Sequence, residues 1–398
     1  MAAVKLAGSS DDNLTKSALI STLGWVVASS GQSFGIYPRG IPTMLRKYYI
    51  ILAAFYTIAT VQFAWCYFWL TRPYINTALY EQGLERMPFQ GRVLMALPMR
   101  LAHQSSGLRS AAEVFAKSPF WFPKPVQPEV LVQAIVNIFC LLVSGYLATE
   151  LYRRGSKHRL LTPFIYPIFL AVCGATYVMH TVQNFRFIYD FPSMAFFALG
   201  MYLIYLRKHW IYFAAFFLIA TTNRETTLLL LALYIFDRAS DHGVPRWSKL
   251  LESNALAVAL PLAGYWIAWQ FLVRYYFASN GSEFYPRLDW NVKSILVPHA
   301  WPQLLSACGY LPIFALVMRR RIVDHQLKAW LWILPFWFIF MFVFGILIET
   351  RVYGELIPYI VCITALIIEQ GLVANLKVRF PLQTQRPQHE VVKIHEAA

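Results

Sequence analysis

The chain has 398 residues, 58% hydrophobic and only 14% charged, with 35 Lys and Arg against 20 Asp and Glu for a formal net charge of +15. Soluble domains carry roughly 25% charged residues, so this composition excludes an ordinary soluble globular protein and points to membrane spans. The basic residues are spread over short segments between apolar runs, which argues against a nucleic-acid partner; the positive-inside bias of membrane proteins accounts for the excess.

Residues 1–47 read as a cytoplasmic segment with one weakly apolar stretch, Ala18 to Ala28, bounded by polar and glycine-rich sequence and unlike a secretory signal. The first span, Tyr48 to Leu70, follows Arg46-Lys47, so its N-terminus is expected in the cytoplasm and the span is expected to act as an uncleaved anchor. The long loop from Thr71 to Pro128 is proline-rich. It contains an apolar-and-basic stretch, Arg92 to Leu101, suited to a helix in the interface plane, with Phe120-Trp121-Phe122 at headgroup depth. Glu129 to Tyr152 returns to a basic cluster, Arg153 to Arg159; Leu160 to His180 leaves again, and Asp190 to Leu206 comes back to Arg207-Lys208.

Trp210 to Thr222 and Thr226 to Phe236 are each too short to span comfortably, and Asn223-Arg224-Glu225 interrupts them. They read either as two short tilted helices or as a broken re-entrant pair, with the charged break away from the basic clusters at both far ends. Leu250 to Val273, Leu304 to Met318, Ala329 to Ile348 and Glu355 to Val373 complete the set. The expected fold is all-α, a polytopic integral membrane protein with about ten membrane segments over 48–376, followed by a disordered cytoplasmic tail, 377–398. The five cysteines lie inside apolar runs at no metal-like spacing and read as small hydrophobes.

Basic clusters sit at alternate ends of the apolar segments, while the carboxylates near those segments are expected at the opposite, non-cytoplasmic ends. Acids held near membrane depth are costly, so a set gathered on one face reads as a functional site. Four constellations stand out. Glu349-Thr350-Arg351 to Glu355 would, if helical, place Arg351 and Glu355 on one face at i, i+4, either as a plain ion pair or as a guanidinium clamp for a phosphate. In Asn223-Arg224-Glu225-Thr226, Asn223 suits an N-cap and Glu225 a first-turn acid, while Arg224 at a helix start would make an anion site. Asp190 before Phe191-Pro192 suits an N-cap, and the nearby His180 makes metal binding or substrate-hydroxyl recognition a second reading. Glu81 and Glu85 beyond the first span are either incidental loop charges or a general base for an acceptor hydroxyl.

These phrases, taken in order, resemble the multi-span GT-C glycosyltransferases, particularly their bacterial members. They are an acid-bearing first loop with P-F-x-x-R-V-L at Pro88 to Leu94, Y-D-F-P at Tyr189 to Pro192, N-R-E-T at Asn223 to Thr226, and E-x-R-x-x-x-E-x-x-P at Glu349 to Pro358. The resemblance implies a transferase in the cell membrane that moves a sugar from a polyprenyl-phosphate donor to a glycan, lipid or protein acceptor on the periplasmic or extracellular side. It would cast Glu81 or Glu85 as base or metal contact and Arg224 or Arg351 as the cation beside the lipid phosphate. The loop has no Asp-x-Asp and no aspartate at all, which departs from the better-known pattern and leaves a divalent metal cofactor an open matter. The competing classes are a multi-pass transporter or lipid flippase, for which broken helices are typical, and an inactive membrane scaffold.

Overall fold

A computed structural model of the chain describes residues 43–117, 127–179, 184–252, 254–283 and 285–379. His180, the stretch from Ala18 to Ala28, Phe120-Trp121-Phe122 and the tail 380–398 lie outside the described residues. Contacts divide the chain between Ile58 and Ala59; 43–58 is the opening of one helix, and the packing below concerns the second unit.

Helix α1 (Thr43–Leu70) runs into strand β1 (Arg72–Pro73). Next come α2 (Thr77–Gln82), two 3-10 turns, α3 (Ala96–Gln104) and α4 (Ser106–Lys117). Helices α5 (Pro128–Gly155) and α6 (Thr162–Tyr177) lead to β2 (Phe185–Arg186) and α7 (Asp190–Tyr205). The pair α8 (Trp210–Thr221) and α9 (Leu228–Ala239) flanks a 3-10 turn, Glu225–Thr227. A minimal hairpin, β3 (Ser240–Asp241) with β4 (Val244–Pro245), precedes α10 (Trp247–Glu252) and α11 (Ala255–Tyr276). The remainder is α12 (Leu288–Leu296), α13 (Trp301–Leu305), α14 (Leu311–Val317), α15 (His325–Ala329), α16 (Ile333–Phe344), a 3-10 stretch Thr350–Leu356, and α17 (Ile357–Arg379).

The all-α expectation holds. Among the described residues, five helical stretches are long and apolar enough to cross a membrane: Lys47–Leu70, Pro128–Gly155, Ala255–Tyr276, His325–Phe344 and Thr350–Leu376. A sixth counts only if the bent pair Pro298–Leu305 and Ala307–Val317, which turns by 78°, is one span. That bend is absent from the sequence reading of Leu304 to Met318 as a plain span. It arises where Cys308 (φ 49°), Gly309 (φ 65°) and Tyr310 (φ 64°) are left-handed, a conformation that interrupts an α-helix. Helices α6 and α7 have 16 residues each and α8 and α9 have 12 each, so none exceeds about 24 Å against a hydrocarbon core of about 30 Å.

Burial divides the long helices into two kinds. Over an 18-residue apolar stretch of each, 72% of residues are buried in Thr350–Leu376 and 50% in Pro128–Gly155, against only 17% in Ala255–Tyr276. Ile267, Phe271 and Leu272 of α11 face outward, an arrangement that water penalises and lipid does not. Close approach in the centre depends on small residues. A Cβ at Gly145 would lie 2.4 Å from the Tyr166 ring, so α5 and α6 pack as they do only with glycine there.

The region 71–117 is a folded unit and not a plain loop. Ile75, Tyr80, Phe89, Met95 and Met99 form a core with Phe187, Ile188 and Tyr189 from the segment before α7. Strands β1 and β2 pair in parallel, Arg72 opposite Phe185. Arg186 donates to the carbonyls of Phe68 (3.2 Å) and Thr71 (2.8 Å), satisfying the C-terminal end of α1.

The basic ends of the segments carry acids too, contrary to the expected one-sided distribution. Glu150, Asp237 and Glu369 are buried there. Each is compensated: Glu369 accepts from Tyr152 Oη (2.7 Å), Ser156 Oγ (2.6 Å) and Leu160 N (2.8 Å), Asp237 from Trp330 Nε1 (3.1 Å), and Glu150 pairs with Arg153. Local donors make these acids affordable as staples, so sidedness alone does not mark a site.

Candidate functional site

The charged phrases that are far apart in sequence meet in space. Asp190 opens α7, Arg224 precedes the 3-10 turn between α8 and α9, and Glu355 and Arg351 lie in the 3-10 stretch before α17. Arg224 Nη1 is 3.0 Å from Glu355 Oε1 and 3.4 Å from Asp190 Oδ1. Thr226 Oγ1 donates to the same Glu355 oxygen at 2.8 Å. Arg351 Nη2 donates to Glu349 Oε2 at 2.5 Å, and Nη1 stands 3.9 Å from Asp190. Asp190, Arg224 and Glu355 are almost fully buried, so the cluster survives only because the charges compensate one another.

Local geometry explains which partner each residue takes. Over Thr350–Leu356 the backbone is 3-10, three residues per turn, so residues four apart are displaced by a third of a turn. Arg351 and Glu355 therefore do not pair at i, i+4 as a regular helix would have it; Arg351 turns to Glu349 and Asp190, and Glu355 to Arg224. The tight stretch reaches α6 closely because of Gly354, where a Cβ would lie 1.8 Å from Tyr177 Oη. The two expected caps also differ. Tyr189, not Asp190, is the N-cap of α7, and Asn223 donates across to Ser193 Oγ (2.8 Å) without capping the turn that follows it.

In front of this cluster lies a cavity of about 420 Å³. Its charged lining holds five arginines (Arg92, Arg224, Arg274, Arg287 and Arg351) and three glutamates (Glu225, Glu283 and Glu349), with Asp190 and Glu355 behind it answering Arg224. Arg92 clamps Glu225 through Nε (3.0 Å) and Nη2 (2.9 Å) and lies over the Tyr189 ring, 4.2 Å from its centre. Arg351 lies over the Phe187 ring at 3.8 Å. Both guanidiniums thus lie over aromatic rings within cation–π range, which restrains them. The rest of the lining is largely apolar: Phe340, Met341 and Phe344 from α16, with Trp266 from α11, whose Nε1 donates to the Glu225 carbonyl at 3.0 Å. Trp266, Gln270 and Arg274 are four residues apart and form one stripe of α11, graded from aromatic to cationic.

Glu283 is the most open of the three lining acids, its side chain 28% exposed. Arg86 Nη1 is 2.7 Å from its carboxylate and Tyr74 Oη donates to it at 3.1 Å. Burial, then the adjacent Glu283, push the Tyr74 hydroxyl above its ordinary value, so it stays a donor.

Of the residues singled out from sequence, Arg224, Glu225, Glu349 and Arg351 line the cavity, and Asp190 and Glu355 sit directly behind it. Glu81 and Glu85 are not in the lining. Glu85 is one contact away, 3.4 Å from the Arg86 guanidinium that holds Glu283, and it accepts from Asn76 N at the start of α2 (2.8 Å). Glu81 lies with His103 and Glu129, a group able to offer three metal-ligand atoms within 4.8 Å of one another. Burial, then Glu129, push its carboxyl above the ordinary value, opposed by His103 and Arg100. Sequence reading passed over Arg92, Glu283 and the Trp266 stripe. The i, i+4, i+8 spacing on an otherwise lipid-compatible helix was the available signal.

Fold and site together define an α-helical protein with membrane-compatible helices around an arginine-rich, half-apolar cavity. Compared with protein-family models, with curated proteins and with solved structures, the chain matches none of them.

Proposed function

We propose that the chain is a membrane glycosyltransferase that takes a sugar from a polyprenyl-phosphate donor and passes it to a hydroxyl acceptor on the non-cytoplasmic side. The observation carrying this reading is the mixed lining of the cavity: guanidiniums lying over aromatic rings, together with apolar side chains of two membrane-compatible helices, α11 and α16. A phosphate attached to a long hydrocarbon chain is the ligand whose two parts match that lining.

In the proposed reaction Glu283 accepts the acceptor hydroxyl's proton. The freed oxygen bonds the sugar's anomeric carbon, and the bond from that carbon to the phosphate oxygen breaks. Arg351, Arg224 and Arg92 meet the charge that develops on the departing lipid phosphate, where preorganised cations contribute most to the rate. Asp190, Glu349 and Glu355 hold two of those arginines, and Arg86, backed by Glu85, positions Glu283. Glycan, lipid and protein hydroxyls all satisfy this chemistry.

The test is a transfer assay on purified protein with lipid-linked sugars and a panel of hydroxyl acceptors. Wild type transfers sugar, while Glu283→Gln and Arg351→Gln fall by at least about 100-fold. Wild-type turnover by both variants rejects the assignment of the site. A second reading, a lipid flippase, draws on Asn137 and Ser144 of α5, buried polar side chains without hydrogen-bond partners among the described residues. Movement of lipid-linked sugar between liposome leaflets without transfer favours it.

A further inference from the structure

Glu81, His103 and Glu129 come from three different elements: the end of α2, the last turn of α3 and the first turn of α5. His103 Nδ1 is 2.7 Å from Glu129 Oε1 and 4.0 Å from Glu81 Oε2. The Glu129 side chain is 7% exposed and that of Glu81 11%, and Glu81 Oε1 has no hydrogen-bond partner among the described residues. Arg100, the guanidinium beside them, is spent on a main-chain atom: Nε (3.1 Å) and Nη2 (2.5 Å) both donate to the Glu81 carbonyl. Two acids thus face one imidazole, and one of their carboxylate oxygens is left without a donor.

We propose that these three side chains form a structural divalent-cation site, with zinc the best-suited ion. An imidazole nitrogen with two carboxylate oxygens is a zinc donor set, and bonds of about 2.0–2.2 Å place such donors about 3–4 Å apart, close to the 2.7 and 4.0 Å that separate His103 Nδ1 from the two acids. His103 is 70% exposed, leaving the ion's remaining position to water. None of the three lines the arginine-rich cavity, so the ion is not part of the transfer chemistry. Its effect is mechanical. It pins the folded 71–117 region, which carries Phe89 and Arg92 into the cavity wall, to the start of the central helix α5.

The test uses the full chain in detergent, stripped with EDTA and titrated with zinc by calorimetry and by thermal unfolding. Wild type takes up one zinc per chain and melts at higher temperature in its presence, as any ion bound by the folded state alone requires. His103→Ala, at an exposed position that folding tolerates, and Glu129→Gln each bind at least about ten-fold more weakly and lose the shift. Zinc uptake equal in wild type and His103→Ala overturns the site, as does wild type that binds no zinc. The proposal stands or falls independently of glycosyl transfer, since both readouts are blind to activity.

Discussion

Replacing Arg224 by Met keeps most of the side chain's volume and removes the charge that Asp190 and Glu355 share. Both acids are buried, with Arg224 Nη1 at 3.4 and 3.0 Å, and Thr226 Oγ1 is the one other donor to Glu355. Breaking a buried pair by deleting one partner costs about 3–5 kcal/mol; Glu355 loses its cation while Asp190 keeps Arg351 Nη1 at 3.9 Å, so the loss is expected within that range, a large share of a typical total of about 5–15 kcal/mol. Removing one stranded charge as well, in Arg224→Met with Glu355→Gln, recovers about 1–3 kcal/mol because the two sites share an interaction. Chemical unfolding of the detergent-solubilised protein, followed by tryptophan fluorescence, gives all four corners of the cycle. Additive single effects, with no recovery in the double variant, would falsify the contact between the α8–α9 break and the stretch before α17.

Gly354→Ala drives a methyl group into Tyr177 Oη and is expected to destabilise the chain by about 1–3 kcal/mol, with partial relief in the Tyr177→Phe background, read by thermal unfolding. Arg351→Lys keeps the charge but loses the guanidinium's contact over the Phe187 ring; lipid-phosphate affinity is expected to fall about ten-fold, measured by competition binding, and an unchanged affinity rules out a fork-like grip. Tyr74→Phe removes a donor to Glu283 while leaving Arg86 in place, so transfer is expected to slow by about ten-fold or less in the same transfer assay, and an unchanged rate removes Tyr74 from the site.

The helices and the convergence of Asp190, Arg224, Arg351 and Glu355 were legible in the sequence for one physical reason. Charge is expensive next to long apolar runs, so isolated ionic residues there need one another. What the sequence did not convey was pairing. Arg351 at four residues from Glu355 reads as an ion pair, and only the 3-10 backbone of Thr350–Leu356 separates them. Glu81 and Glu85 looked equivalent in one loop, yet the core formed by Tyr80, Phe89 and Phe187 turns one toward His103 and the other toward Arg86. Acids such as Glu369 broke the sided pattern because tyrosine, serine and main-chain donors, none of them visible as charges, satisfy it. About ten membrane segments were expected; among the described residues five helices, or six with the bent pair, are long and apolar enough to cross, and α6 to α9 have only 12–16 residues.

The most direct measurement compares how purified wild type retains a prenyl phosphate and the corresponding prenol, by native mass spectrometry from detergent. The mixed ionic and apolar lining calls for retention of the phosphate alone, lost in Arg351→Gln and weakened in Phe344→Ala. Equal retention of both lipids, or retention of the phosphate unchanged by either substitution, contradicts it.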